Sequence, residues 1–201
     1  MLIVFEGIDG SGKNTQIKKV LAFLRQNRIK AKLCKYPTKR AKEGFAHLSG
    51  KRTVSPLRLA NVFAKDIEKD SKRICEAMEK GYVVICNRYL HSTLAYQGAS
   101  AGYAKVKNEL GKIGVPVPDL VILLDIGPLT SVKRKHRQKK PDRFEKDAVF
   151  LAKVRENYLR ESKEPYLSQK YAVIDASKQE DEVFSRVIVQ IEPVLIKRLE
   201  S

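Results

Sequence analysis

Short apolar runs recur along the chain, each followed by a longer stretch in which apolar residues return every three or four positions. The runs are LIVFE (2–6), AKLCKY (31–36), YVVICN (82–87), LVILLD (120–125) and YAVIDA (171–176). Apart from the mixed second run they are nearly continuous Val, Ile and Leu, the pattern of parallel strands covered on both faces. Helical periodicity occupies about 14–28, 56–80, 91–112, 128–137, 146–169 and 179–199. In the 56–80 segment Ser55 can cap the start, Pro56 suits the first turn and Gly81 stops the helix. Strict alternation of strand and helix predicts an α/β fold, with a five-stranded parallel sheet, helices on both faces and right-handed crossovers. No repeat, low-complexity tract or Pro/Gly-rich linker divides the chain, so its 201 residues predict one domain over 1–201.

Ligands of such sheets gather beyond the carboxyl ends of the strands, and the polar motifs cluster there. After the first strand runs EGIDGSGKNTQ, Glu6 to Gln16. Gly7, Gly10 and Gly12, with Ile8, Asp9 and Ser11 between them, let backbone amides converge on phosphate at the start of the next helix. Lys13 adds a cation for the β- and γ-phosphates. The next position usually carries a magnesium-binding hydroxyl. Here it is Asn14, whose amide oxygen can coordinate the ion or hold a metal-bound water, and Thr15 follows with a different direction on the helix. The plain alternative is a glycine-rich turn with a solvated lysine. The strand before and helix after favour a phosphate loop, and hence nucleotide binding.

Composition narrows the class. No apolar stretch reaches the roughly 20 residues that cross a bilayer, and MLIVFEG lacks the basic flank and cleavage site of a signal peptide. Cys34, Cys75 and Cys86 are widely spaced and suggest buried thiols in a reducing, cytoplasmic setting. Lys and Arg number 40 against 23 Asp and Glu, a formal net charge of +17. That excess suits polyphosphate ligands with a solvated Lys-rich surface or nucleic acid, and charge alone does not choose.

FEGIDGSGKNTQ, YPTKRAKEG, ICNRYLHSTLAYQGA, LLDIGPLTSVKRKHRQKKPDRFE, VRENYL and VIDASK occur in the order and spacing of the thymidylate kinase family, which the chain resembles nearly end to end. The resemblance implies a P-loop NTPase fold with a short basic lid at about 134–146, transfer of the ATP γ-phosphoryl to dTMP, and a homodimer. It places Asp9 at the acceptor sugar 3′-hydroxyl and Arg88 on the acceptor phosphate. Pro37 matches a Pro-x-Arg element in which Lys39 fills the arginine position and Arg40 follows, so either cation can reach that phosphate. Phe63 takes the thymine-stacking position, Ile67 stands where a base-reading arginine is expected, and Ser92, Tyr96 and Gln97 line the base pocket. Asn87 replaces a carboxylate at the end of the third strand, making a second metal-shell amide beside Asn14. By the same resemblance, Arg134 and Arg137 of the lid are candidates to stabilise charge on the donor phosphates and Arg143 to stack near adenine. Ser177 and Lys178 contact the adenine, and His136, flanked by cations, is given no metal role.

Three readings compete at this level. The first is a Mg-ATP-dependent dTMP kinase. The second is a related kinase with relaxed or different monophosphate preference, motivated by Ile67. The third is a nucleotide-binding, nucleic-acid-associated homologue with weak turnover, motivated by Asn14, Asn87 and the net charge; the first two require neither membrane nor nucleic acid.

Overall fold

The computed structural model describes residues 1–136, 147–164 and 166–199. Five parallel strands, β1 (Leu2–Glu6), β2 (Ala31–Lys35), β3 (Val83–Asn87), β4 (Leu120–Asp125) and β5 (Tyr171–Asp175), form one sheet in the order β2-β3-β1-β4-β5. The predicted five-stranded parallel sheet is the one observed. Every residue of β1 and β3 is buried, whereas Lys32, Leu33 and Lys35 of β2 are exposed. An edge strand needs fewer apolar residues, which accounts for the mixed composition of the second run.

Alternating β1 residues divide the interior into two layers, as the two-residue period of a strand requires. Ile3 and Phe5 pack with Ile85, Ile122 and Leu124 beneath α1 (Lys13–Gln26), α8 (Ala148–Lys163) and α9 (Glu180–Leu199). Leu2 and Val4 pack with Val84 and Cys86 beneath α3 (Pro56–Glu68), α4 (Ser71–Glu79), α5 (Leu90–Ala101) and α6 (Tyr103–Leu110). Each fully buried Leu, Ile or Val stabilises the fold by about 1.5–3 kcal/mol, and helices sit on both faces as expected. α7 (Pro128–His136) follows β4.

Helix limits differ from the periodicity in four places, one being that the helix expected over 146–169 ends at Lys163. The 56–80 segment is two helices, because Asp70 breaks it. Its amide donates to Ile67 O at 2.9 Å, and its carboxylate accepts from Tyr36, Arg40 and Arg73. The 91–112 segment parts at Gly102, whose φ of 95° no side chain favours. A seven-residue helix, α2 (Lys42–Leu48), fills what the pattern leaves as loop. The start of α8 is capped by Asp147, which accepts from Phe150 N at 2.9 Å.

Candidate active site

Two cavities open at the carboxyl ends of the strands. The first, about 460 Å³, lies over the glycine-rich loop between β1 and α1. Gly7 has φ 139°, and a Cβ there would stand 2.5 Å from Leu124 O, so the loop can lie against β4 only with glycine at this position. Gly12 precedes α1 with φ 89° and no side chain caps the helix, leaving first-turn amides directed at the cavity. Lys13 is buried and its Nζ donates to Gly7 O and Ile8 O, each at 2.9 Å. A cation folded against the loop is thereby held where anionic oxygens would meet it.

Asp9 to Thr15, Asn87, Arg88, Arg134 and Lys178 all line this cavity. Gly7 and Ile8 underlie the loop instead, and Ser177 turns aside, its hydroxyl and amide both donating to Asp175 Oδ1. Arg134, in α7, reaches across the loop and donates to Ala176 O at 3.0 Å. Arg137, Arg143 and most of the 134–146 lid lie outside the described residues.

Asn87 Nδ2 donates to Asn14 Oδ1 at 2.7 Å, so the two amides meet at the cavity floor. Among the described residues no group of three His, Cys, Asp or Glu converges as a metal cage.

The second cavity, about 470 Å³, adjoins the first. Pro37, Lys39, Phe63, Ser92, Tyr96 and Gln97 line it, together with Asp9 and Arg88. Arg40 does not. It donates through Nη1 and Nη2 to both oxygens of Asp70, at 2.9 and 2.8 Å, and through Nε to Asp66. Donation to Asp70, together with the charge of the nearby carboxylates, raises its pKa further and ties it to the loop it stabilises. Lys39 alone of this adjacent pair faces the cavity.

Ile67 is 1 % exposed and belongs to the core beneath α3, so its side chain does not face the ligand space. Phe63 does face it, its ring packed on α2: a Cβ built on Gly44 would stand 2.3 Å from the ring.

Arg88 stands between the cavities with a left-handed backbone, φ 70°, sparse for a side-chain-bearing residue. Its Nη2 donates to Asp9 Oδ1 at 2.9 Å and its Nη1 to Ser92 Oγ at 3.0 Å, and the guanidinium lies 5.1 Å from the Tyr96 ring centre. Burial works against its charge, but Asp9, Tyr96, Tyr158 and Glu6 outweigh that and hold the pKa well above the ordinary value. Beneath it Glu6, fully buried, accepts from Tyr89 N at 2.7 Å, Ser92 N at 3.2 Å and Tyr158 OH at 3.0 Å, and takes the Ser92 hydroxyl as well. A carboxylate at the start of α5 meets that helix's free amides and fixes the turn that aims Arg88.

Several lining residues escaped the reading of motifs: Lys35, Tyr36, Thr38 and Thr93, with Phe45 and Leu48 from α2. Glu6 reads in sequence only as the end of an apolar run.

A thymidylate kinase family model matches residues 5–187. A probable thymidylate kinase of Archaeoglobus fulgidus is 36% identical over 196 residues, covering 97% of this chain and 96% of the relative. The thymidylate kinase of Mycoplasma mobile is 29% identical over 219 residues, covering 98% of this chain and all of the relative. The solved structure of thymidylate kinase from Candida albicans superposes with a TM-score of 0.81 at 26% identity, covering 96% of this chain and 91% of that one. It is described as revealing the origin of broad substrate specificity.

Proposed function

The chain belongs to the thymidylate kinase family, and from that premise we propose how its two cavities carry the reaction. It is an ATP-dependent phosphotransferase that converts dTMP to dTDP. ATP occupies the cavity over the glycine-rich loop and dTMP the one lined by Phe63, Tyr96 and Gln97. The observation that carries this assignment is the Arg88–Asp9 pair, which lines both spaces at their meeting point.

An oxygen of the dTMP phosphate attacks the γ-phosphorus of ATP. A new P–O bond forms while the bond to the β-phosphate oxygen breaks, releasing ADP. The attacking oxygen is already anionic, so no general base is required, and the work left to the protein is alignment and charge neutralisation. The α1 amides and Lys13 hold the β- and γ-phosphates. Arg88 lies across the line of transfer and meets the acceptor phosphate, while Asp9 steadies the guanidinium and faces the acceptor sugar. Arg134 adds charge from α7, and Arg137 and Arg143 of the 134–146 lid extend the same role over the donor. Lys178, with Ser177 behind it, borders the adenine, and Lys39 reaches the acceptor phosphate as a point charge.

Asn14 and Asn87 fit the outer shell of a hydrated Mg2+ ion, because neutral amide groups already tied together, Asn87 Nδ2 donating to Asn14 Oδ1, suit a metal-held water better than direct ligation. Bound there with ATP, the ion neutralises charge on the β- and γ-phosphates. The resemblance supports a homodimer, which light scattering on the purified protein tests. Reduced thiols at Cys34, Cys75 and Cys86 support a cytoplasmic setting. Among the described residues no helix is long and apolar enough to cross a membrane.

One observation favours breadth of acceptor choice. With Ile67 buried, α3 offers the base pocket an aromatic face and no cation, leaving Thr93 and Gln97 of α5 as its polar readers. A coupled assay with ATP, Mg2+ and each of dTMP, dUMP and dCMP tests both readings. dTMP is expected to turn over fastest, with measurable dUMP turnover if acceptor choice is broad. ATP binding without transfer to any monophosphate would sink the assignment.

A further inference from the structure

The described cations around the two cavities sort by which space they line. Lys13, Arg134 and Lys178 line the donor cavity alone, and Lys39 the acceptor cavity alone. Two line both: Arg88 and Lys35. Arg88 is matched by Asp9 at 2.9 Å, so that pair contributes little net charge at the boundary. Lys35 forms no ion pair among the described residues.

The sheet explains its position. Lys35 ends β2 and is the register partner of Asn87 at the end of β3, so the two side chains leave the same face of neighbouring parallel strands. Asn87 is itself the residue that touches Asn14 on the donor floor. Immediately after Lys35 the chain turns into Tyr36, Pro37 and Thr38, which wall the acceptor cavity. The ammonium is therefore tethered between donor floor and acceptor wall on a four-carbon stem, where the metal-shell positions carry neutral amides.

We propose that Lys35 is a further catalytic residue, a cation that bridges the γ-phosphoryl of the donor and the phosphate of the acceptor during transfer. The proposal rests on the phosphoryl-transfer reading above. Charge on the transferred oxygens is shared between the two ligands only when both are in place, so Lys35 favours the joined state over either nucleotide alone.

Lys35 is exposed, so its replacement leaves the fold intact. The test compares wild-type protein with Lys35→Met and Lys35→Arg in calorimetric binding of ATP, of dTMP and of an adenosine–thymidine dinucleoside pentaphosphate that spans both cavities. For Lys35→Met each mononucleotide is expected within threefold of wild type. The bridging ligand should bind at least tenfold more weakly, with kcat lowered by at least tenfold, and Lys35→Arg should recover most of both. Bridging affinity retained within twofold, or a loss fully explained by one mononucleotide, would overturn the role of Lys35. Were wild type to bind all three ligands yet transfer nothing, the functional reading would fail while the affinity comparison still judged Lys35.

Discussion

Asn87 and Asn14, from the end of β3 and the first turn of α1, hold each other through a 2.7 Å amide hydrogen bond at the floor of the donor cavity. A carboxylate at the first position or a hydroxyl at the second would present a harder oxygen to magnesium. Asn87→Asp or Asn14→Ser is therefore expected to lower the magnesium concentration for half-maximal activity several-fold, or to raise kcat. Titrating magnesium against turnover for each variant checks this, and identical curves in both would remove the amide pair from the metal shell.

Lys13 lies among carbonyls of its own loop and lines the cavity proposed for ATP. Lys13→Ala is expected to lower kcat by about 10²–10³-fold, the loss typical of one preorganised donor. Single-turnover transfer from labelled ATP measures it.

The ring of Phe63 rests where Gly44 has no side chain. Gly44→Ala must displace that ring, a flexible neighbour on the acceptor side only. The expected outcome is a KM for dTMP raised about tenfold, as a loss of about 1.4 kcal/mol of binding would give, with the KM for ATP unchanged. Equal effects on both would mean that α2 supports the whole site.

Much of the fold was legible because buried parallel strands are written as unbroken apolar runs, and β1, β3 and β4 stand where those runs do. α2 was not legible: seven residues carry too few turns for a period to show, and Gly44 belongs to packing and not to helix preference. The break at Asp70 was hidden because its cause is a guanidinium thirty residues earlier. The phosphate loop could be read because its chemistry is local. Lys39 and Arg40 could not be told apart, since the carboxylates that claim Arg40 sit on another segment. Ile67 occupies a reader's place in the motif, yet its apolar side chain turns into the core. Glu6 and Lys35 owe their positions to pairing between strands distant in sequence, which no short motif records.

Glu161 is fully buried, and neither carboxyl oxygen has a hydrogen-bond partner among the described residues. Burial, with Glu6 nearby and only partly offset by Lys107, pushes its pKa well above 4.5. The folded state therefore keeps a proton that the unfolded chain releases above about pH 4.5, and stability falls as pH rises from there to the folded pKa. Glu161→Gln is expected to raise the melting temperature at pH 7 by at least about 2–4 °C, the shift that 1 kcal/mol gives at this size, with little change at pH 4. Calorimetric melts across that range decide it.

Cys34 and Cys86 are register partners on β2 and β3. A hydrogen bond from Cys86 lowers the Cys34 pKa to about 7, while the same contact and burial raise that of Cys86. Alkylation by iodoacetamide should therefore reach half its limiting rate near pH 7 at Cys34, with Cys86 untouched until the protein unfolds. Peptide mapping after timed labelling distinguishes the sites.

The strand bearing the donor loop is flanked on both sides, by β3 and β4, whereas the acceptor wall hangs from β2 at the rim of the sheet. Changes near the rim meet solvent on one side and few neighbours, so they are cheap to try and cheap to keep. A scaffold wired this way can revise which nucleoside it accepts while its hold on ATP stays fixed. Divergence among such enzymes should accumulate on the outer strand and its turn well before it touches the middle.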